Sequence, residues 1–122
     1  MDEQVAYYTN KLKYEIDSWD LHEALSPAGQ DEKIVVIDVR SEQAYARGHI
    51  PSAINFPHRM ISEESVRELD RSVLYVVYCD GIGCNASTKG ALALAKLGFR
   101  VRELQGGLDW WRRDGYEIRQ SA

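Results

Sequence analysis

The sequence predicts an α/β fold in which a mostly parallel sheet of about five strands carries helices on both faces. Two continuous apolar runs, IVVID at residues 34–38 and VLYVVY at residues 73–78, are typical of central strands that are buried on both sides. Segments of helical composition separate the predicted strands, and this alternation favours parallel pairing. We expect a single domain over residues 1–122, with a leading helix at 1–12 and a core at 17–122.

The first half of the chain alternates short helices with short strands. Asp17 is placed to cap a helix at its N-terminus, and the PAG sequence at residues 27–29 ends that helix. The next helix closes on Gly48, and an irregular segment with two prolines follows it. In chain order, we predict a helix at 2–12, a strand at 13–16, a helix at 18–25, a strand at 34–38, a helix at 41–48 and a strand at 53–55.

The second half continues the same alternation. Ser87 or Thr88 can supply the N-cap of a helix that stops at Gly98. The Gly106-Gly107 pair turns the chain into the final helix. In chain order, we predict a polar helix at 62–70, a strand at 73–78, a helix at 87–97, a strand at 99–104 and a helix at 108–115.

Composition excludes several functional classes. The net charge is −4 and the basic residues are scattered, so the chain lacks the basic patch that nucleic acid or an anionic membrane would require. No apolar run approaches the roughly 20 residues of a membrane span, and the polar start MDEQ is unlike a signal peptide. Two cysteines close together are a poor disulfide framework. We therefore expect a cytoplasmic protein that binds neither nucleic acid nor membrane.

Both cysteines lie in one glycine-containing turn, YVVYCDGIGCNAST at residues 75–88. Cys79 follows a predicted strand at the edge where ligands of parallel sheets bind. A strand, a glycine turn and a helix start can form a concave ring of backbone N–H groups that favours an anion. We therefore predict Cys79 as a nucleophile and the turn as the substrate-binding loop, with the residues Asp80, Gly81, Ile82, Gly83, Cys84, Asn85, Ala86 and Ser87.

The charge state of the Cys79 sulfur depends on how the turn folds. A free thiol, with a pKa of about 8.5, is only a few per cent ionised at neutral pH. A helix N-terminus changes a pKa by under about one unit. Ionisation would therefore require several direct N–H contacts to the sulfur. Asp80 opposes ionisation if it faces inward, so we expect it to face solvent.

Other interpretations of the two cysteines are open at this stage. Cys79 could be a small buried apolar residue that ends a strand. Cys84 could be a resolving thiol, a packing residue or a wall of the pocket. Two thiols without a nearby histidine leave a tetrahedral zinc shell half filled, so we predict neither a metal nor another cofactor.

Three segments of the chain resemble the rhodanese-like sulfurtransferase family. They are IDVRSEQAYARGHIPSAINFP, then VVYC, then LGFRVRELQGGLDWWRRDGYEI, and they cover nearly the whole chain in the family's order. The first resembles the family's Asp-x-Arg and Gly-His-Ile-x-x-Ala-x-Asn signature through Asp38, Arg40, Gly48, His49, Ile50, Ala53 and Asn55. The resemblance implies a catalytic Cys79 and loop-supporting roles for Asp38, Arg40 and His49. It also implies that Trp110 or Trp111 packs the closing helix.

The chain departs from the family pattern around the cysteine turn. The path from Cys79 to Ser87 is about two residues longer than usual, and Asp80 and Ala86 stand where cations are often found. The family's acidic residue before Tyr45 is also missing, which leaves Glu42 as the nearest alternative partner of Arg40. Related phosphatases of this fold need a loop arginine to stabilise the transferring phosphoryl group. None occurs between residues 79 and 89, so we do not predict phosphatase or arsenate reductase activity.

The sequence therefore predicts a sulfurtransferase that carries sulfane sulfur as a Cys79 persulfide. Its partners would be a small sulfur-containing donor and a thiol or protein-cysteine acceptor. Because the loop contains Asp80 and no cation, we expect persulfide or polysulfide donors to be preferred over the thiosulfate dianion. The alternatives are a Cys79/Cys84 dithiol redox switch and a non-catalytic binding module. The sequence does not predict an oligomeric state.

Overall fold

The computed structural model describes residues 2–29 and 32–121, and its centre is a five-stranded sheet in the order β1-β5-β4-β2-β3. All four pairings between neighbouring strands are parallel. The strands are β1 (Glu15–Ile16), β2 (Ile34–Asp38), β3 (Ile54–Asn55), β4 (Leu74–Tyr78) and β5 (Arg100–Leu104). The α-helices are α1 (Asp2–Tyr14), α2 (Ser18–Leu25), α3 (Glu42–Arg47), α4 (Ala86–Lys96) and α5 (Gly107–Arg113), and 3₁₀ turns lie at Pro27–Gly29 and His58–Met60. The predicted α/β class and parallel sheet are confirmed.

The two continuous apolar runs form the middle of the sheet, as predicted. Every residue of β4 is buried, because β2 and β5 pair with its two edges and helices cover its two faces. The register aligns Val76 with Val36 on one side and with Arg102 on the other. Cys79 follows β4 directly and is thereby placed at the carboxyl end of the central strand.

The core has two layers, one on each face of the sheet. One layer lies under α2 and α5 and comprises Ile16, Leu21, Val36, Ile50, Ala53, Leu74, Val76, Tyr78, Leu104, Leu108 and Trp111. The other layer lies under α4 and comprises Ile37, Val39, Val66, Val73, Tyr75, Val77, Cys79, Leu94 and Phe99. Successive strand residues point to opposite faces, so the Cys79 side chain belongs to the α4 side.

Helix α4 lies very close to the sheet at Gly90. A Cβ atom at this position would stand 3.0 Å from Val39 Cγ1. The helix begins at Ala86, after an Asn85 that makes no side-chain capping hydrogen bond. The predicted N-cap at Ser87 or Thr88 is therefore wrong, and both hydroxyls donate elsewhere.

The polar helix predicted at residues 62–70 is not formed, and turns occupy this segment. Ser62 and Ser65 exchange hydrogen bonds from backbone N–H to side-chain oxygen, at 2.8 and 3.1 Å. Such local bonds compete with a helical ladder. Val66 is the buried residue of the segment, so no continuous apolar stripe offsets that competition.

The two adjacent tryptophans of α5 lie in different environments. Trp111 is buried, and its Nε1–H donates to the Glu117 carbonyl at 2.8 Å. Trp110 is 43% exposed. The prediction that one of them packs the closing helix is confirmed, and Trp111 is that residue.

Helix α1 lies beside the edge of the sheet and has no buried residues. It extends two residues beyond the predicted end at residue 12. The Arg102 guanidinium ties its end to the sheet by donating to the carbonyls of Leu12 and Glu15. Neither α1 nor any other helix within residues 2–29 and 32–121 is long and apolar enough to cross a bilayer.

Candidate active site

The Cys79 thiol is enclosed by its own loop. The side chain is 1% exposed and packs with the core layer under α4. Its S–H group faces two acceptors, the Cys84 carbonyl oxygen at 3.1 Å and the Ser87 Oγ at 3.5 Å. Both cysteines are free thiols.

This environment favours the neutral thiol. Burial raises the pKa of Cys79, and the interaction with the Cys84 side chain raises it further. The hydroxyl and the amide of Ser87 act in the opposite direction, but the net shift is upward. The net shift runs against the expectation of an ionised sulfur: the Cys84 carbonyl accepts from the thiol, while one loop amide, that of Ser87, favours the thiolate.

A cavity of about 540 Å³ opens above the loop. Of the predicted substrate-binding residues, the cavity is lined by Gly81, Ile82, Gly83, Cys84, Asn85 and Ser87. Cys79 does not reach its surface, but Ser87 contacts the sulfur and also lines the cavity. Cys84 likewise contacts the sulfur and lines the cavity, so these two residues lie between the thiol and the open space.

Two predicted substrate-binding residues lie outside this cavity. The Asp80 side chain is 72% exposed and faces solvent, as expected, and its Oδ1 accepts from Arg40 Nη1 at 3.0 Å. Ala86 packs against the core layer under α4. The cavity thus brings together six of the eight residues, because the loop reverses direction after Asp80.

The Asp38–Arg40 pair forms a buried network beside the loop. Asp38 is fully buried and accepts from Arg40 Nε at 2.9 Å, from Arg40 Nη2 at 2.6 Å and from the Tyr78 hydroxyl at 2.8 Å. Arg40 Nη2 also donates to the Gly48 carbonyl at 2.6 Å. Burial alone would lower the pKa of Arg40, but hydrogen bonding and charge from Asp38 outweigh it and raise that pKa. The Arg40 partners are Asp38 and Asp80, so the expected pairing with Glu42 is wrong.

His49 is held by a stack and a short antiparallel bridge. Its ring stacks on Tyr45 with centroids 3.8 Å apart, and its Nδ1 lies 2.8 Å from the Tyr45 carbonyl oxygen. Its backbone exchanges two 2.9 Å hydrogen bonds with Arg119. These contacts fasten the segment after α3 to the C-terminal segment, away from the cavity.

The Gly106-Gly107 turn supports the base of the loop. The amide of Leu108 donates to the Cys79 carbonyl at 2.9 Å, and the amide of Asp109 donates to the Asp80 carbonyl at 2.8 Å. Gly107 has a φ of +56°, and a Cβ there would lie 2.4 Å from the Cys79 carbonyl oxygen. This close approach requires glycine.

Sequence reasoning missed Glu103, which lines the same cavity. Its Oε2 accepts from Ser87 Oγ at 2.6 Å and from Thr88 Oγ1 at 2.8 Å. In the sheet, Glu103 is aligned with Val77, two residues before Cys79, and so lies on the α4 side. The available signal was an acidic residue near the carboxyl end of the strand predicted at residues 99–104. Within the described part of the chain, no three His, Cys, Asp or Glu residues are grouped as metal ligands.

A family model described as a rhodanese-like domain matches residues 20–114. The chain belongs to the rhodanese-like domain family. Solved structures of similar fold include the BH2092 protein from Bacillus halodurans, with a TM-score of 0.89 and 39% identity over 98% of this chain and 86% of that one. The rhodanese-like domain of the Alr3790 protein from Anabaena sp. has a TM-score of 0.76 and 27% identity over 87% and 78% of the two chains.

Curated relatives of this rhodanese-like chain include two named sulfurtransferases. A protein named sulfurtransferase from Allochromatium vinosum is 30% identical over 104 residues, which are 85% of this chain and 92% of that protein. The thiosulfate sulfurtransferase GlpE of Pseudomonas entomophila is 34% identical over 82 residues, or 66% and 72% of the two chains. An HTH-type transcriptional regulator of Mycobacterium tuberculosis is 30% identical over 90 residues, but this chain covers only 39% of its length. The named sulfurtransferases support a sulfurtransferase-type function for this chain.

Proposed function

We propose that this protein transfers sulfane sulfur from a small donor to a thiol acceptor through a persulfide on Cys79. The observation that carries the proposal is the position of Cys79. It is a free cysteine at the carboxyl end of the central strand, and its two hydrogen-bond partners, Cys84 and Ser87, line a cavity of about 540 Å³. Membership of the rhodanese-like family and the named sulfurtransferase relatives support the same chemistry.

The reaction divides into two displacements at sulfur. Deprotonated Cys79 attacks the sulfane sulfur of the donor, a new S–S bond forms, and the remainder of the donor leaves with the electron pair of the broken bond. The acceptor thiolate then attacks the outer sulfur of the Cys79 persulfide. It departs as a persulfide, and the Cys79 thiolate is regenerated.

Activation requires a change at the Cys84 carbonyl. The neutral thiol donates to this oxygen at 3.1 Å, but a thiolate has no proton to donate, so the same contact becomes repulsive. Rotation of the peptide between Cys84 and Asn85 would turn the carbonyl away and present an N–H group to the sulfur. The rotation changes ψ of Cys84 and φ of Asn85, and asparagine is one of the residues that tolerate the left-handed φ that would result.

The proposed donor is a persulfide or polysulfide rather than thiosulfate. The loop supplies one charged side chain, Asp80, and no cation to bind a dianion. Steady-state rates with thiosulfate and with 2-hydroxyethyl persulfide test this preference. Faster turnover with thiosulfate would contradict it.

The persulfide itself is tested by intact-mass measurement after treatment with 2-hydroxyethyl persulfide. We expect a gain of one sulfur atom in the Cys84→Ser variant and no gain in the Cys79→Ser variant. Turnover should be lost in Cys79→Ser. Unchanged turnover in that variant would refute the mechanism, and the absence of any adduct would favour a non-catalytic binding module.

A dithiol switch is the second candidate, because the loop holds Cys84 against Cys79 and lets Cys84 line the cavity. Cys84 thiolate would attack the inner sulfur of the Cys79 persulfide, form the Cys79–Cys84 disulfide and release hydrosulfide. The persulfide supplies the oxidising equivalents for this step. Wild-type protein should then lose two hydrogen atoms in mass after donor treatment, whereas Cys84→Ser retains the added sulfur. Absence of the disulfide from the treated wild type would exclude this candidate.

A further inference from the structure

Glu103 binds the two hydroxyl groups that stand nearest the cavity at the start of α4. Ser87 Oγ donates to Glu103 Oε2 at 2.6 Å, and Thr88 Oγ1 donates to the same oxygen at 2.8 Å. Ser87 Oγ also lies 3.5 Å from the Cys79 sulfur. A single hydroxyl therefore touches both the proposed nucleophile and the carboxylate.

Two hydroxyl donors in the first turn of an eleven-residue helix are well suited to bind an anion. An anionic group of a donor at Cys79 would naturally be held there, since its sulfane sulfur must reach the adjacent thiol. In this chain a carboxylate from β5 already occupies these donors. The protein thus carries its own anion at the position where a charged substrate group would bind.

The other charges of the cavity do not compensate for Glu103. Among the described residues that line it, Lys11 is the one cation, and its Nζ pairs with Glu15 at 3.1 Å. Asp17 adds a further carboxylate to the lining. Arg40 lies outside this cavity and is paired with Asp38 and Asp80.

We propose that Glu103 determines donor specificity by occupying the Ser87 and Thr88 hydroxyls and excluding donors that carry two negative charges. The inference rests on the proposed sulfur transfer at Cys79 and identifies its donor class. Thiosulfate would have to displace the carboxylate and remain beside it, which adds repulsion between like charges. A neutral or singly charged persulfide avoids most of that repulsion.

The test is the ratio of kcat/KM for thiosulfate to kcat/KM for 2-hydroxyethyl persulfide. Glu103→Ala removes the charge and frees both hydroxyls, so we expect this ratio to rise by about tenfold or more. In the thiosulfate reaction, Cys79 thiolate attacks the outer sulfur and sulfite leaves with the electron pair of the broken S–S bond. An unchanged or lower ratio in Glu103→Ala overturns the inference.

Two further variants distinguish the effect of occupying the Ser87 and Thr88 hydroxyls from the effect of removing a negative charge. Glu103→Gln removes the charge but keeps an oxygen that accepts from Ser87 and Thr88, so its ratio should lie between wild type and Glu103→Ala. Glu64→Ala changes the net charge equally at an exposed residue that does not line the cavity, and its ratio should match wild type. Equal gains in the Glu64 and Glu103 variants would overturn the inference in favour of net charge.

A binding measurement avoids dependence on turnover. Inorganic sulfate titrated into ¹⁵N-labelled protein should shift the Ser87 and Thr88 amide signals in Glu103→Ala and leave them unchanged in wild type. Absence of such shifts in both Glu103 variants overturns the inference, even if persulfide turnover persists and the proposed function stands. Absence of turnover with either donor in every protein overturns the proposed function and this inference with it.

Discussion

Two segments flank Cys79 at the same edge of the sheet, and they are held in opposite ways. On the β2 side, Asp38 and Arg40 form a buried ion pair that also binds the Tyr78 hydroxyl and the Gly48 carbonyl. On the other side, the loop at residues 80–85 carries one backbone hydrogen bond of its own, from the Cys84 amide to the Gly81 carbonyl at 3.1 Å. Its Ile82 is 81% exposed.

The comparison assigns two tasks to two regions. One region positions Cys79, and the other sets the surroundings on which its protonation depends. The buried network and the Gly106-Gly107 turn hold the backbone on which Cys79 sits. The loop places the Cys84 carbonyl against the sulfur, and under the proposed mechanism a change in this loop is what would ionise the thiol. A region with few buried contacts can change its hydrogen bonds at a lower cost than a saturated network.

The largest effect is expected from Asp38→Ala. The change leaves the Arg40 guanidinium, whose side chain is 8% exposed, without its buried partner. Removing one member of a buried ion pair costs about 3–5 kcal/mol of unfolding free energy. Chemical denaturation measures this loss, and Asp80→Ala is the matched control, since the exposed Asp80 partner should contribute less than about 1 kcal/mol. Equal losses of unfolding free energy in Asp38→Ala and Asp80→Ala would show that the buried network stabilises the fold no more than the exposed contact does.

Gly107→Ala should give the next largest loss of stability. The added Cβ would lie 2.4 Å from the Cys79 carbonyl oxygen and 2.9 Å from the Gly81 amide nitrogen, at a φ of +56°. Strain and displacement together should cost about 1–3 kcal/mol in thermal or chemical unfolding. Gly115→Ala is the control, because Gly115 also has a positive φ but has no atom within 4 Å of the added Cβ. If both variants lose the same unfolding free energy, the close approach of Gly107 to the Cys79 carbonyl makes no contribution to stability beyond the positive φ.

A smaller effect is expected in the pH dependence of stability. The pKa of Cys79 is raised in the folded protein, first by burial and then by the Cys84 side chain. The folded state therefore holds its proton more tightly than the unfolded state. The resulting stability is fully present below the unfolded thiol pKa of about 8.5 and is lost as pH rises through the higher folded pKa.

The difference in unfolding free energy between wild type and Cys79→Ala isolates this contribution, because other groups titrate in both proteins. The unfolding free energy of wild type should fall relative to that of Cys79→Ala as pH rises above about 8.5. The rate of Cys79 alkylation should also continue to rise in this range. A plateau in alkylation below the ordinary thiol pKa would show an ionised resting sulfur instead.

The smallest stability effect is expected from Gly83→Ala, which adds a methyl group in open space. Unfolding free energy should change by less than about 0.5 kcal/mol. Cys79 alkylation should nevertheless slow by a factor of about two to five, because alanine restricts the loop backbone that must rearrange. An unchanged alkylation rate would indicate that the thiol becomes accessible without movement at residue 83.

The sheet was predictable because its signal is local. Residues 34–37 and 73–78 are apolar on both faces, which is typical of a strand between two others and beneath helices; the last three residues of β2 and all of β4 are buried. The helix predicted at 62–70 failed because the serine side chains compete for the backbone and only a narrow apolar face supports a helix.

The site was predictable in position but not in detail. The end of β4, the glycine turn and the family signature identified Cys79 and six of the fifteen residues that line the cavity. The partner of Arg40 was wrongly expected to be Glu42, because sequence proximity does not reveal where a guanidinium points. The acceptor beside the thiol was also unexpected, because rotation of one peptide exchanges a carbonyl for an amide without changing any residue.

By itself, the amino-acid sequence determined the alternation of strands with helices, the parallel sheet and the end of β4 at which Cys79 lies. It could do so because hydrophobic periodicity and glycine placement are local signals, each read within a short stretch of chain. Only the tertiary structure decided which groups meet around the sulfur. Glu103 reaches Ser87 across sixteen residues because β5 lies beside β4 in a register that aligns Glu103 with Val77, beneath the first turn of α4. Which residues meet at such a distance along the chain depends on how whole strands and helices pack together. Here that packing places the Glu103 carboxylate where a substrate anion could otherwise bind.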